Sequence, residues 1–215
     1  MQQTDGRDTR WEEHRIERRR SLVESTLRAI RAHGAGVTID EIAAGAGTSK
    51  TVLYRYFGDR TGLYRGVVDR VSENILAEVR PGLADIGGRG IVNVLRDLTD
   101  AYTRLVERDP EIYAFVVNRP ASGLFPGEDP VTGITDRIAS ELSASMTAQR
   151  TLLGREVSEI ETLAHGVVGF IRSATGHWIA QAEKPRDRHA LVDLIVTTFG
   201  PSIAGLSHEP TLTHA

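Results

Sequence analysis

Apolar positions along this chain recur every three or four residues, and no stretch alternates with a period of two. That rhythm predicts helix after helix and no strand, an all-α fold. Ile16, Val23, Leu27 and Ile30 mark the first amphipathic segment, with Arg15, Arg18, Arg19 and Arg20 around them. Thr9 followed by Glu12 reads as a capping box at its start, and Gly34 as its stop. A second capping box, Thr38-Ile-Asp-Glu41, opens a short helix whose inward face is Ile39, Ile42, Ala43 and Ala46. Gly45-Ala46-Gly47 ends it. Ser49 then caps a third helix carrying Val52, Leu53 and Phe57, which Gly58 closes. Asp59 caps a fourth, with Leu63, Val67, Val71 and Ile75 on one face.

Pro81-Gly82 and the glycine-rich Asp85–Gly90 break the pattern and predict a boundary between residues 1–80 and 81–215, with order beginning near residue 9. Beyond it, Ile91, Leu95, Leu98, Tyr102 and Leu105 step by four and three. Glu111 to Asn118 is a short apolar piece, and Arg119–Pro130 reads as a loop. Ile134, Ile138, Leu142 and Met146 mark another helix, and Leu163, Val167, Phe170, Ala174 and Trp178 a further one. A last helix runs through Leu191, Leu194, Ile195 and Thr198.

The stretch IAAGAGTSKTVLYRYFGDR (Ile42–Arg60) carries the most information. A phosphate-binding loop needs its glycines after a strand and on a fixed spacing, and Gly45 and Gly47 satisfy neither condition. A plain helical hairpin accounts for Ile42, Val52, Leu53 and Phe57, but leaves Lys50, Thr51, Tyr54, Arg55 and Tyr56 on the outward face unexplained. A helix-turn-helix accounts for both sets. Thr48, Ser49 and Thr51 are small and polar, so the backbone can approach a groove floor. Lys50 can reach a guanine edge or a phosphate. Tyr54 and Tyr56 can donate to phosphate oxygens, and Arg60 opens the next helix beside them.

Val37–Val68, VTIDEIAAGAGTSKTVLYRYFGDRTGLYRGVV, resembles the DNA-binding signature of the TetR (tetracycline-repressor-like) family of bacterial transcription regulators. The family's usual lysine after the Phe turn is Arg60 here, and its usual acidic residue shortly after is Gly62, an unfavourable choice inside a helix. The resemblance implies an N-terminal three-helix helix-turn-helix domain, then a helical domain that binds a small molecule and dimerises through its last two helices. It makes Ser49, Lys50 and Thr51 candidates for base contact, and Tyr54, Tyr56 and Arg60 candidates for phosphate contact. Thr38 would cap the helix crossing the backbone, and the Arg15–Arg20 cluster would either brush the flanking backbone or form a solvated face. The implied partners are a palindromic double-stranded DNA operator, a second copy of the chain and a small hydrophobic effector, with no cofactor. The layout of Val167–Pro185 is similar to family members that sense long-chain acyl groups or acyl-CoA.

Within the rear half, a cavity needs apolar and aromatic walls with a few polar groups. Tyr102, Tyr113, Phe115, Asn118, Phe125, Met146, His165, Phe170 and Trp178 are the candidates, each with an ordinary core or interface role as its alternative. Gly166, Gly169, Ser173 and Gly176 permit close helix approach and suit a two-fold interface.

Composition narrows the rest. Of the residues, 40% are hydrophobic and 26% charged, a globular balance, and the apolar runs are far short of the ~20 residues that span a bilayer. The first twenty residues lack the apolar core of a secretory signal, so a cytoplasmic protein is expected. There is no cysteine, no H-E-x-x-H, no G-x-S-x-G and no metal-binding spacing among the seven histidines, so an enzyme or metal protein is not expected. Net charge is −3, but residues 1–80 hold 14 basic against 12 acidic groups and residues 81–215 hold 12 against 17. An effector-free DNA-binding dimer and a helical adaptor remain as rival readings.

Overall fold

The computed structural model describes residues 6–117, 130–148, 155–180 and 187–205, and every regular element among them is an α-helix. By its internal contacts the chain divides into two units, Met1–Val71 with Asp109–Pro130, and Ser72–Arg108 with Val131–Ala215. The sequence places a boundary at 80/81; in the fold, the fourth helix carries past it and a later segment returns to the first unit.

In the first unit, α1 (Gly6–His33) buries Leu22, Val23, Leu27 and Ile30, while Ile16 is 60% exposed because the helix runs on beyond the residues it packs against. It begins before Thr9, so Thr9 does not cap it. α2 (Ile39–Gly45) opens with the predicted capping box. The Thr38 side chain accepts from the Glu41 amide at 3.3 Å, and the Thr38 amide donates to the Glu41 carboxylate at 2.7 Å. That amide, and then the Thr38 hydroxyl donating to the same carboxylate oxygen at 2.8 Å, hold the Glu41 carboxyl below its ordinary range. Ile39, Ile42 and Ala43 are buried, but Ala46 is half-buried and serves as the C-cap. Gly47 then turns the chain with a φ of +60°, a conformation glycine adopts without steric cost.

α3 (Lys50–Phe57) follows, buried through Leu53 and Phe57 and capped by Ser49, whose hydroxyl oxygen accepts from the Val52 amide at 3.3 Å. α4 (Arg60–Ala84) starts with Asp59 accepting from the Gly62 amide at 2.7 Å. Gly62 has a reason beyond the cap. A Cβ there would lie 1.8 Å from the Phe57 carbonyl oxygen, so this turn admits no side chain at position 62. What reads as a weak helix residue is a close backbone approach.

The returning segment of the first unit is α7 (Pro110–Val117), packed against α1. Buried Asp109 accepts from Arg31 Nε at 2.6 Å and Nη2 at 3.2 Å, and this hydrogen bonding raises the Arg31 pKa. The Ala35 amide donates to Glu111 at 2.9 Å. Buried Tyr64 donates its hydroxyl to the Val116 carbonyl, and its ring lies 5.6 Å from that of Phe115. A segment read from sequence as part of the rear half is therefore fastened to the first unit by charge, backbone and aromatic contacts.

In the second unit, α4 continues through Pro81 to Ala84 and the glycine-rich stretch forms a one-turn helix, α5 (Ile86–Arg89), anchored by buried Ile86. α6 (Ile91–Arg108) packs chiefly against α10 (Arg188–Gly205), burying Leu95 and Leu98 against Leu191, Val192, Ile195 and Val196. Tyr102 and Leu105, expected on the buried face of α6, are half-buried. α8 (Pro130–Ala148) buries Ile134, Ile138, Leu142 and Met146 as the periodicity predicts. It is joined to α4 by Arg80 with Glu141 at 2.9 Å and by Glu73, which pairs with both Arg80 and Arg137. Arg188 of α10 reaches Asp100 and Glu107 of α6.

α9 (Val157–Ala180) departs from the expected register. Ile160, Ala164, Val168, Ile171 and Thr175 are the buried stripe. The predicted stripe, Leu163, Val167, Phe170, Ala174 and Trp178, lies one position round the helix and is half-buried or exposed. On α10, Leu194 is 62% exposed and Thr198 is exposed, again outside the buried set.

Candidate nucleic-acid interface

α3 is short, capped at its start and held by two buried side chains on one face only. Its other face is left to solvent. Ser49, Lys50, Thr51 and Arg55 are exposed, Tyr54 and Tyr56 half-buried, and Arg60 exposed just beyond. Thr48 is half-buried in the turn, where its amide donates to the Ala43 carbonyl at 2.9 Å and ties the turn to α2. No acidic residue lies within α3, and a carboxylate oxygen of Asp40 on α2 stands 4.0 Å from Lys50 Nζ. Arg55 lies over the Tyr56 ring at 5.5 Å, which fixes both groups on the outward side. Thr38 is exposed at the start of α2 and spends its hydroxyl on the capping box. The nine predicted contact residues thus fall on α3, its preceding turn and the starts of α2 and α4, all within the first unit.

The arrangement can do two kinds of chemistry. Lys50, Arg55 and Arg60 supply positive charge, and Tyr54 and Tyr56, flanking the outward face on either side of Arg55, supply hydroxyl donors, a set suited to phosphate oxygens. Thr51 and Lys50 lie in the first turn of the helix, the part that approaches base edges when a helix enters a major groove. Ser49 is already engaged as a cap, so its hydroxyl proton is what it can still give to a partner.

The same surface includes residues that periodicity alone passes over. Trp11, His14 and Arg15 of α1 line a cleft of about 340 Å³ with Arg55 and Tyr56 of α3. Trp11 is 72% exposed. The signal was present as a four-residue step from Trp11 to Arg15 to Arg19, in phase with buried Leu22 and Val23.

In the second unit, a partly open apolar cavity of about 30 Å³ lies among α6, α8, α9 and α10, walled by Val94, Leu98, Leu142, Met146 and Ala164 without a polar atom at its surface. That is room for a methyl group or a water, not for an effector. A wider, more open groove of about 280 Å³ runs along α9 and α10 past Leu163, Val167, Phe170, Phe199 and Ile203. Of the candidate ligand contacts, Met146 lines the cavity and Phe170 the groove. Tyr102, His165 and Trp178 line neither. Tyr113 and Phe115 belong to α7 in the first unit, and Asn118 and Phe125 lie outside the described residues. His165 Nδ1 is 2.8 Å from the Glu161 carbonyl oxygen and its Nε2 is 3.5 Å from Asp136, a surface link between α9 and α8. No helix among the described residues is long and apolar enough to cross a membrane.

Capped short helix, glycine turn and second capped helix with a cationic outer face define a helix-turn-helix DNA-binding protein of the transcription-regulator class. The family profile of bacterial regulatory proteins, tetR family, matches residues 22–67, which include both of those helices. The HTH-type transcriptional regulator Rv0472c of Mycobacterium tuberculosis is 32% identical over 206 residues, covering 94% of this chain and 84% of its own length. The chain belongs to the TetR family of transcriptional regulators. The HTH-type transcriptional activator FasR of Mycolicibacterium smegmatis is 28% identical over 182 residues, covering 83% of this chain and 76% of that protein. The crystal structure of AibR in complex with isovaleryl coenzyme A and operator DNA shares the fold, with a TM-score of 0.53 at 19% identity over 84% of this chain and 97% of that one.

Proposed function

We propose that the protein is a homodimeric DNA-binding regulator that binds a palindromic operator through α3 and responds to a small apolar effector in its second unit. The exposed polar face of α3 carries this reading, because a helix stabilised on one side and left cationic on the other has no internal use for Lys50, Arg55 and Tyr56. Two copies place two such helices on one duplex, which a two-fold site requires. The dimer seam is the uncovered apolar side of α9 with α10. Gly166, Gly169, Ser173 and Gly176 lie on the side of α9 away from its buried stripe, and Phe170 packs on Phe199 at a centroid distance of 4.3 Å, the rings tilted by 54° and both partly open to solvent.

The effector is an acyl-CoA or lipid-like molecule whose chain enters the apolar cavity beside Met146. At about 30 Å³ the cavity has to open to admit it, so binding selects a second conformation of this unit. The regulator acts as a repressor if that conformation binds DNA less well, and reciprocity then requires DNA to weaken the effector equally. Two observations favour other versions. The relative named as a transcriptional activator supports the opposite sign, and the small cavity supports an effector-free dimer. Operator binding measured with and without a series of acyl-CoAs separates the three: release, tightening or no change. Lys50→Ala is expected to weaken operator binding about tenfold and to relax base preference. Unchanged affinity would remove α3 from the interface.

A further inference from the structure

We propose that the solvent-exposed N-terminal turns of α1 are a second DNA-contacting element, with Trp11, Arg15 and Arg18 laid against the sugar-phosphate backbone beside the duplex that α3 reads. The proposal rests on the helix-turn-helix reading of α3.

From Trp11 to Ser21 no residue of α1 is buried, although the helix is continuous. At 1.5 Å per residue this carries α1 about 16 Å past Leu22, where its packed part begins. Stability does not explain such an overhang, since it covers no core and leaves an indole 72% exposed. Between Trp11 and Ser21 the charges are sorted by face. Trp11, Arg15, Arg18 and Arg19 recur at helical spacing and continue the direction of buried Leu22, Val23 and Thr26. Glu13 and Glu17 fall on the other side with Arg20. Glu12, the acid of that stretch nearest the stripe, is drawn to Arg15 at 3.6 Å.

The stripe is also continuous with the face of α3. Arg19 lies over the Phe57 ring at 5.1 Å, and Trp11, His14 and Arg15 form one cleft with Arg55 and Tyr56. A polyanion seated on Arg55 and Tyr56 therefore meets Arg15 next. Arginine forks and an amphipathic aromatic suit a deoxyribose-phosphate edge, where phosphates take the charge and sugars take the ring. Such contacts add affinity and orientation without reading bases.

The test uses full-length protein and a duplex selected by it from a random pool. Acrylamide quenching of Trp11, taken as the difference between the protein and its Trp11→Phe variant, is measured with and without saturating duplex. Protection of Trp11 by DNA is expected. Arg15→Ala and Arg18→Ala are each expected to weaken binding about fivefold and to reduce the salt slope by roughly 0.9, while Arg20→Ala, on the opposite face, changes both far less. Trp11 equally open to quencher in the complex, or Arg20→Ala matching Arg15→Ala, overturns the proposal. If that happens while binding still depends on Lys50, α1 is excluded and α3 retained. If no duplex is enriched, both fall together.

Discussion

Two helices of this protein each leave one face uncovered, and the two faces are opposite in chemistry. α3 buries Leu53 and Phe57 and exposes Lys50, Thr51 and Arg55. α9 buries Ile160, Ala164, Val168 and Ile171 and leaves Leu163, Val167 and Phe170 unburied beside a row of glycines. An uncovered polar face costs nothing in water and waits for a charged partner. An uncovered apolar face is a standing liability unless something apolar covers it. On the proposed reading the first face meets a nucleic acid and the second another copy of the chain, which would put the two requirements of a two-fold DNA reader on separate helices.

The α9 face is the easiest to break. Phe170→Glu places a charge where the two copies are proposed to meet, and should weaken dimerisation by a few hundredfold, seen by sedimentation equilibrium, with operator affinity falling in step. If the variant stays dimeric, the seam lies elsewhere. Gly62→Ala probes the scaffold under α3. Its new Cβ meets the Phe57 carbonyl, so α3 and α4 must separate, at a cost of about 3 kcal/mol in urea unfolding. A loss below about 0.5 kcal/mol would mean the turn relaxes freely.

Arg31→Ala is expected to cost about 2 kcal/mol, because it takes two guanidinium hydrogen bonds away from buried Asp109. Arg31 itself is 44% exposed, which keeps the figure below that of a fully buried pair. Protease digestion should then find residues 109–117 cut sooner than in the parent protein. Smallest is Thr38→Ala, at about 1 kcal/mol for a lost cap. The same cap gives a pH signature. Glu41 has a lowered pKa, so its contribution is present above the ordinary glutamate pKa and is lost as pH falls through the lowered value. The destabilisation by Thr38→Ala should therefore shrink in acid, followed by thermal melts across that range.

The same contrast decides what was legible in the sequence. Around α2 and α3 the signals are local: Thr38 with Glu41, Ser49 with Val52 and Asp59 with Gly62 are contacts three residues apart, and each forms as read. Around α9 they are not. Leu163, Val167 and Phe170 form as good a stripe as Ile160, Ala164 and Ile171, and periodicity cannot tell a face that meets the core from one that meets a partner. Gly62 looked weak because helix propensity knows nothing of a carbonyl oxygen five residues earlier. The α7 segment reads as part of the rear half by its position in the chain, whereas Arg31 with Asp109 and Tyr64 with Val116 are long-range contacts with no sequence signature. Ile16 misled for a related reason, since an apolar residue in phase with a core is exposed once the helix outruns that core.

The most direct test of the central claim is to select duplexes from a random pool with the purified protein, in parallel with its Lys50→Ala variant, and to sequence what is retained. The account predicts one enriched site with two inverted half-sites about one helical turn or a multiple apart, weakened in the variant most at the bases facing α3. A pool that stays random, or a site that both proteins select with equal strength, would contradict it.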